Sequence, residues 1–572
     1  HRRSSRNNCY GFWKMKLSSN KIKLNFLFVI VLILVIFGSY LFIQKVYALQ
    51  FIESDFFENQ ALSYRQRVEI LEAKRGTIYD KNFNVLASSV QSYNVAVKSN
   101  DIDDLGFVSV LSSLLNLDEA EILKKITENS KFFYLKRNVD FETGNKIQSW
   151  KFNGIHLEHS NKRNVYDSST SNIIGFVDPD GNGIEGLELY FDTLLKGEDG
   201  ELRYESAPNG AIIPQGEIRT IQPKHGEDLI LSIDSELQYL SEDLCQDALK
   251  DTQAFMCSVV FANAVTGEIL ISAEESSTNN DYFNIDLISA RANYEPGSSL
   301  KIFTIGSLIE NGVVNENDIY LVEDKIEIID GSCTEDFEGY KGCFRDFLKH
   351  EPINLSVKEI IERSSNVGTV KIVNDGNINE VEMFLKRFGF GSKTGVELSG
   401  ESKGAFTEFK TCTTCLSSLS IGYSINTTQY QMVKAYSIIA NEGLDLNLSL
   451  IRTNQQNNNN KKVIDRNLAK RLKMLLINVV EGPNGTGKSL KMDDYVIGGK
   501  TGTSRTYLEG IGYSNDRFTT SFTGFIETSN GPIVGSVILW GAKGSPISEY
   551  VTGGSTAAPI FKTIVRNLLP SD

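Results

Sequence analysis

One segment constrains this chain more than any other: Leu24 to Ile43 (LNFLFVIVLILVIFGSYLFI) runs twenty residues without a charged side chain. As a helix rising about 1.5 Å per residue it covers roughly 30 Å, the depth of a bilayer's hydrocarbon core. Arg2, Arg3, Arg6, Lys14, Lys16, Lys21 and Lys23 precede it, and Lys45, Glu53, Asp55 and Glu58 follow. That asymmetry predicts an N-terminus in the cytoplasm and everything beyond the segment outside. A cleaved signal peptide is the competing reading, with Val46-Tyr47-Ala48 as its small-residue site. Its apolar region would span only about 7–15 residues, so an uncleaved single-pass anchor is expected. The sequence opens on His1. Met15-Lys16 reads as the natural start and residues 1–14 as an upstream extension.

The 572 residues leave room for three or four domains of about 150 residues. Hydrophobic residues make up 41%, enough for real cores and too few for a polytopic membrane protein. A formal charge of −14 argues against nucleic acid, which needs a basic footprint. Of seven cysteines, Cys9 falls on the cytoplasmic side, Cys333 and Cys343 flank a short Gly-containing stretch, and Cys412-Thr-Thr-Cys415 is a CxxC. In an oxidising compartment either pair fits a disulfide, Cys333–Cys343 before the other. The four together make only a weak zinc pattern, and free thiols stay open.

The anchor is followed by a region from 44 to 223 with hydrophobic alternation and turns such as Asp178-Pro-Asp-Gly181. It lacks a compact cluster of catalytic residue types. A second region, 224–572, begins with a strand pattern at Asp228–Asp234 and a helix from Ser235 to Lys250 starting at a Ser cap. Ser258–Ala262 and Glu268–Ser272 read as a hairpin around Thr266-Gly267. Helical patterns fill 298–480, and strand patterns return at 495–497, 519–526 and 532–540. Strands at both ends with helices between predict one mixed α/β domain whose sheet the C-terminus completes.

Three constellations in that region carry chemistry. Pro296-Gly-Ser298-Ser-Leu-Lys301 opens a helical run, which places Lys301 one turn from Ser298 on the same face. A serine hydroxyl needs a base to become a nucleophile, and a lysine serves once its surroundings lower its pKa. Ser364-Ser-Asn366 reads as a cap or turn on the plain view, and as a proton-relaying hydroxyl beside a substrate-gripping amide on the functional one. Lys500-Thr501-Gly502-Thr503 sits on a strand, with Lys500 and Gly502 on one face and Thr501 and Thr503 on the other. Each motif has decoys: Ser18–Lys21, Ser92–Asn94, Ser424–Asn426 and Lys393–Gly395. The ordered set, with gaps of 66 residues from Ser298 to Ser364 and 134 from Asn366 to Lys500, is that of penicillin-binding proteins and β-lactamases. No Gly-x-Ser-x-Gly surrounds Ser298 and the nearest histidine is His350, which disfavours a Ser-His-Asp triad.

Further matches extend the likeness from about residue 60 to the end. They are Lys74-Arg-Gly-Thr-Ile-Tyr-Asp80 with Val85-Leu-Ala87, Gly181-Asn-Gly-Ile-Glu-Gly-Leu-Glu188, and Leu195-Lys-Gly197. In the last region stand Ser364–Gly368, Phe388–Gly391, Ala440–Gly443 and Ala557–Phe561. The chain resembles a class B penicillin-binding protein, a peptidoglycan D,D-transpeptidase, most like the septal division type. The resemblance implies an α/β (α+β) transpeptidase domain with a mixed sheet and a helical insert, after an anchor and an extended α+β pedestal. It implies Ser298 as the acylated nucleophile, Lys301 as base, and Ser364 and Asn366 as one cleft wall. Lys500, Thr501, Gly502 and Thr503 form the other, which recognises the donor's carboxylate. Backbone N–H groups of Ser298 and Thr503 would form the oxyanion hole. Implied partners are stem peptides ending in D-Ala-D-Ala, β-lactams, a membrane glycosyltransferase and other division proteins; no cofactor, metal or nucleic acid is implied. The chain departs from the family at Ser299, Gly422-Tyr423-Ser424, Thr428-Gln429 and Tyr166-Asp167.

Gly482-Pro-Asn-Gly-Thr-Gly-Lys488-Ser489 matches the P-loop pattern letter for letter. A P-loop needs a strand before it and a helix after it. Here helical spacing (Leu468, Leu472, Leu475, Leu476, Val479) precedes it and few residues follow before Lys500. A nucleotide-binding reading is therefore disfavoured. A β-lactamase would need a water poised for deacylation and has no use for a pedestal.

Overall fold

The computed structural model describes residues 11–128, 131–207, 211–214, 216, 218–277, 286–334, 342–407, 413–453 and 461–569. Cys9, Cys412 and the polar run Asn454–Asn460 lie outside them. The described chain divides into two compact units, one of residues up to 72 together with 199–224, the other of 73–198 together with 225 onward.

In the first unit a helix, Gly11–Tyr47, continues through a π-helical turn, Ala48–Ile52, and helix Ser54–Arg65 follows. The stretch Asn25–Ile52 contains an 18-residue window with a mean hydropathy of 3.0 and, among the described residues, is the one helix long and apolar enough to cross a membrane. None of its aliphatic side chains is buried, and most are exposed. Three antiparallel strands, Gln66–Leu71, Gly200–Glu205 and Arg219–Ile221, complete the unit.

The second unit opens with a sheet built on one long strand, Val85–Lys98. It pairs antiparallel with Ile155–Val165 along one edge and with Ile78–Tyr79 and Phe132–Asp140 along the other. Leu229–Ile230 adds a parallel pairing to Ile78–Tyr79. Alternate residues of the long strand, Val95 and Val97, face helices Phe107–Leu115, Glu119–Glu128 and Phe141–Trp150 through Leu111, Ile122 and Ile147. The Arg-Gly and Gly-Leu-Glu segments noted in the sequence meet here. Buried Glu188 takes Arg75 Nε at 2.5 Å on one oxygen and Arg163 Nε at 2.6 Å on the other. Arg75 also reaches Asp192 at 2.7 Å.

The remainder is organised by a five-stranded sheet of β1 (Met256–Asn263), β2 (Ile269–Ser276), β3 (Ile497–Leu508), β4 (Gly512–Ile526) and β5 (Ile533–Ala542), in the order β2-β1-β5-β4-β3, all pairs antiparallel. The C-terminal strands thus complete a sheet begun 241 residues earlier (Met256 to Ile497 by position). The sheet is covered on both faces, which explains why β1 and β5 read as nearly unbroken apolar runs. On one side Val259, Phe261, Val537 and Leu539 meet helix Ala557–Leu568 at Phe561 and Ile564. On the other Val260, Ala262, Val534 and Ile538 join the large helical core around Phe303, Tyr436 and Leu472. Helix Ser235–Thr252 forms as the sequence predicts, with a different cap. Asp234, not Ser235, accepts the N–H groups of Glu236 and Leu237, and the Ser235 hydroxyl donates to Asp80 at 2.7 Å. A carboxylate satisfies two amides and suits the positive end of the helix.

Cys333 and Cys343 are joined as the sequence anticipates. Cys245 and Cys257 form a second disulfide, tying helix Ser235–Thr252 to β1. Nothing in their spacing signals it.

Candidate active site

Ser298 lies in a 3-10 turn, Gly297–Leu300, that runs straight into helix Lys301–Glu310. The serine is half-buried, and Lys301 is fully buried. The turn rests on edge strand β3, and two glycines make that approach feasible. A Cβ on Gly502 would stand 2.7 Å from the Pro296 carbonyl oxygen and 2.3 Å from Ser521 Oγ. Gly297 adopts φ +56°, and its Cβ would lie 2.9 Å from the Thr503 carbonyl oxygen. Gly502 therefore closes strand on turn, while Thr501 and Thr503 alternate to the other face. The turn is fixed from beneath by Tyr436, whose hydroxyl donates to the Ser299 carbonyl at 2.7 Å, and by Ser299 Oγ donating to Pro296 O at 2.6 Å.

Ser364 and Asn366 arrive from a break between two helices. Ser364 ends helix Val357–Arg363 in the left-handed region at φ +61°. Ser365 then caps helix Asn366–Asn374 by accepting the Gly368 N–H. The cap reading of this motif holds for the middle serine, which builds the corner that presents its neighbours. Lys301 Nζ donates to Ser364 O at 2.6 Å and to Asn366 Oδ1 at 2.7 Å, and lies 3.5 Å from Ser364 Oγ. Lys500 Nζ donates to the same hydroxyl at 2.7 Å. Three sequence-distant motifs thus converge on Ser364. Burial pulls the Lys301 ammonium down to about 7, against the attraction of Asp346. Burial, then the charge of Lys301, pulls Lys500 well below the ordinary lysine range.

Sequence reasoning missed the residues that hold this arrangement. Asp346, three positions past Cys343, accepts the N–H groups of Asn366 (2.6 Å) and Val367 (2.9 Å) and the Ser365 hydroxyl (2.7 Å). The Arg345 carbonyl accepts Asn366 Nδ2 at 2.9 Å. The only local hint was the neighbouring cysteine. Of the decoys, Lys393-Thr394-Gly395 is an irregular loop in which Thr394 is bound to Glu401. The P-loop look-alike follows helix Arg466–Glu481 rather than a strand and leads into a three-residue 3-10 turn, Lys488–Leu490. Among the described residues no cluster of metal-ligating side chains occurs.

Comparison with known proteins decides the family. The model of the penicillin binding protein transpeptidase domain matches residues 257–566, and that of the penicillin-binding protein dimerisation domain matches 70–231. The chain belongs to the class B penicillin-binding proteins. It is 29% identical to a probable peptidoglycan D,D-transpeptidase PbpC of Pseudomonas aeruginosa, over 95% of each chain. It is 27% identical to peptidoglycan D,D-transpeptidase FtsI of Buchnera aphidicola, over 98% of this chain and 97% of that one. Penicillin-binding protein 3 of Mycobacterium tuberculosis, solved with aztreonam, shares its fold at a TM-score of 0.64 and 22% identity, over 88% of this chain and 98% of that one.

Proposed function

We propose that this penicillin-binding protein cross-links peptidoglycan stem peptides through an acyl-enzyme on Ser298. The observation that carries the reading is the pair of buried lysines meeting at one hydroxyl, Lys301 and Lys500 around Ser364. Lys301, with its proton affinity lowered to about 7, takes the Ser298 proton as the oxygen attacks the penultimate D-Ala carbonyl. The N–H groups of Ser298 and Thr503 receive the charge that develops on that carbonyl oxygen. The Ser364 hydroxyl, bridging the lysines, passes a proton to the departing amine. The C–N bond breaks and free D-Ala leaves. An amine of an acceptor stem then attacks the ester, loses its proton to the same relay and restores Ser298. Asn366 supports the donor backbone, and Lys500, Thr501 and Thr503 form the wall that recognises its carboxylate. Gly502 lets that wall close on the nucleophile turn.

A β-lactam acylates the same oxygen, and its leaving group stays tethered, blocking the incoming amine. The full chain in detergent, incubated with penicillin, should gain one stable adduct that maps to Ser298. Ser298→Ala should lose it without loss of fold. An adduct elsewhere, or rapid hydrolysis with none, would overturn the reading; the latter is the β-lactamase behaviour.

The same proposal places the protein at the division septum, anchored by its N-terminal helix with the catalytic unit outside the cytoplasmic membrane and a membrane glycosyltransferase beside it. The motif pattern and the division-type relative support this. Depletion should yield filaments with blocked septa; rounded cells would point to the elongation role instead.

A further inference from the structure

Strand β3 is an edge of its sheet, and Thr501, Thr503, Arg505 and Tyr507 alternate onto one of its faces. Exposure grows along that row. Thr501 is buried, Thr503 and Arg505 are half-buried, and Tyr507 is 60% exposed. The strand then turns at Glu509–Ile511 into β4, which sets Tyr513 opposite Tyr507. Their rings lie 5.5 Å apart, edge to face. Tyr423 joins the group at 6.3 Å from Tyr513, and Ile511 at the hairpin tip is 66% exposed.

This cluster is fastened to the nucleophile turn. The Tyr513 hydroxyl donates to one Glu295 carboxylate oxygen at 2.8 Å, and the other oxygen accepts the Ser424 N–H at 3.2 Å. The Glu295 carbonyl accepts Ser504 Oγ at 2.9 Å. Glu295 stands three positions before Ser298, so the tyrosines and the serine share one frame. A cross-strand aromatic pair needs only its partner strand to stabilise a hairpin. Here a third ring and an aliphatic tip extend the pair into an apolar surface open to water beside the cleft, and such surfaces mark binding.

The chemistry of the occupant follows from the direction of the strand. An extended donor on this edge pairs with β3 as an added strand. Its reacting carbonyl lies at the Thr503 N–H and its terminal carboxylate on the Thr501 side, so its upstream residues run towards Tyr507. Tyr423 closes that pairing, because its hydroxyl takes the Arg505 backbone N–H. From Thr503 to Tyr507 is four positions, about 13 Å of strand. A few stem residues span that length, and the sugar that carries the stem comes next. A pyranose offers a face of axial C–H bonds and a rim of hydroxyl and N-acetyl groups. A tyrosine, with an electron-rich ring face and a polar tip, is complementary to both.

We propose that Tyr507 and Tyr513, with Tyr423, form a platform for the N-acetylmuramyl sugar that carries the donor stem. The proposal rests on the transpeptidase reading above and deepens it: the preferred substrate is a peptide on its sugar, not the peptide alone.

The test labels Ser298 of the full chain in detergent with a reporter penicillin, in competition with free pentapeptide or with the same pentapeptide on its N-acetylglucosaminyl-N-acetylmuramyl disaccharide. On wild-type protein the disaccharide form should protect Ser298 at the lower concentration. Tyr507→Ala should raise the concentration needed of that form by roughly three- to tenfold, the worth of one aromatic contact. It should leave competition by the free peptide and the penicillin rate unchanged, and Tyr507→Phe should keep the preference for the disaccharide. Equal protection by the two forms on wild-type protein would overturn the proposal, as would equal losses for both in Tyr507→Ala, which would mean a contact to the peptide or to the fold. Wild-type protein that the penicillin does not label on Ser298 would overturn the transpeptidase reading itself, and the platform with it.

Discussion

Lys301 shows how far burial can lower the proton affinity of a common side chain. In water an ammonium holds its proton far above neutrality, but no solvent reaches this one and burial brings it to about 7. The acylation rate should therefore rise with pH through about 7 and flatten above it, measured with a reporter penicillin. Asp346 favours the charged form, so Asp346→Asn should move that limb to lower pH while keeping acceptors for the helix cap. Lys301→Ala should slow acylation by roughly 10²–10⁴, the usual worth of a general base. Stability moves with pH in the same direction. Between about 7 and the ordinary lysine range the unfolded chain binds this proton and the folded one does not, so folding gains as pH rises across that window. Lys301→Met should accordingly melt at a higher temperature at neutral pH while losing acylation, a trade of stability against function checked by calorimetry.

Elements hold the site through links the motifs do not contain. Strand Lys325–Glu327 pairs with Cys343–Arg345, and the Cys333–Cys343 disulfide closes that hairpin just before Asp346. Replacing both cysteines by serine should lower stability by about 2–3 kcal/mol, since the closed loop is short. Chemical denaturation measures this, and a non-reduced peptide map should recover the two peptides joined. Further up the chain, Glu188 neutralises Arg75 and Arg163 in a site where neither glutamate nor arginine meets much solvent. Glu188→Gln would leave two buried guanidinium groups short of charge, and breaking such a pair costs about 3–5 kcal/mol. A thermal unfolding shift of several degrees is expected; an unchanged transition would show the cluster to be dispensable.

At the scale of the molecule, the apolar helix near the N-terminus bears on where the proposed chemistry takes place. Charge asymmetry around Leu24–Ile43 predicts that protease added outside intact spheroplasts removes everything beyond the helix. Full protection would reverse the proposed topology. A mature N-terminus at Leu49 would instead identify Val46-Tyr-Ala48 as a cleavage site, although helix Gly11–Tyr47 runs through its first two residues without interruption.

The apolar N-terminal helix, the strand–helix–strand order of the last region and the three motifs were readable along the chain, because each is a local pattern of charge, period or spacing. That Ser298, Ser364 and Lys500 belong together was legible only from their order. The meeting of Lys301 and Lys500 on the Ser364 hydroxyl needed the sheet that pairs Met256–Asn263 with Ile533–Ala542 and leaves the Lys500 strand at the edge beside the Ser298 turn. The supporting residues were not legible. Asp346 and Tyr436 act through backbone groups of residues distant in sequence, and such contacts impose no periodicity on a sequence. The Cys245–Cys257 bridge is of the same kind: a helix end and a strand brought within bonding distance by packing. Local order determined which groups this protein would carry, and only tertiary contact decided which of them face one another and with what proton affinity.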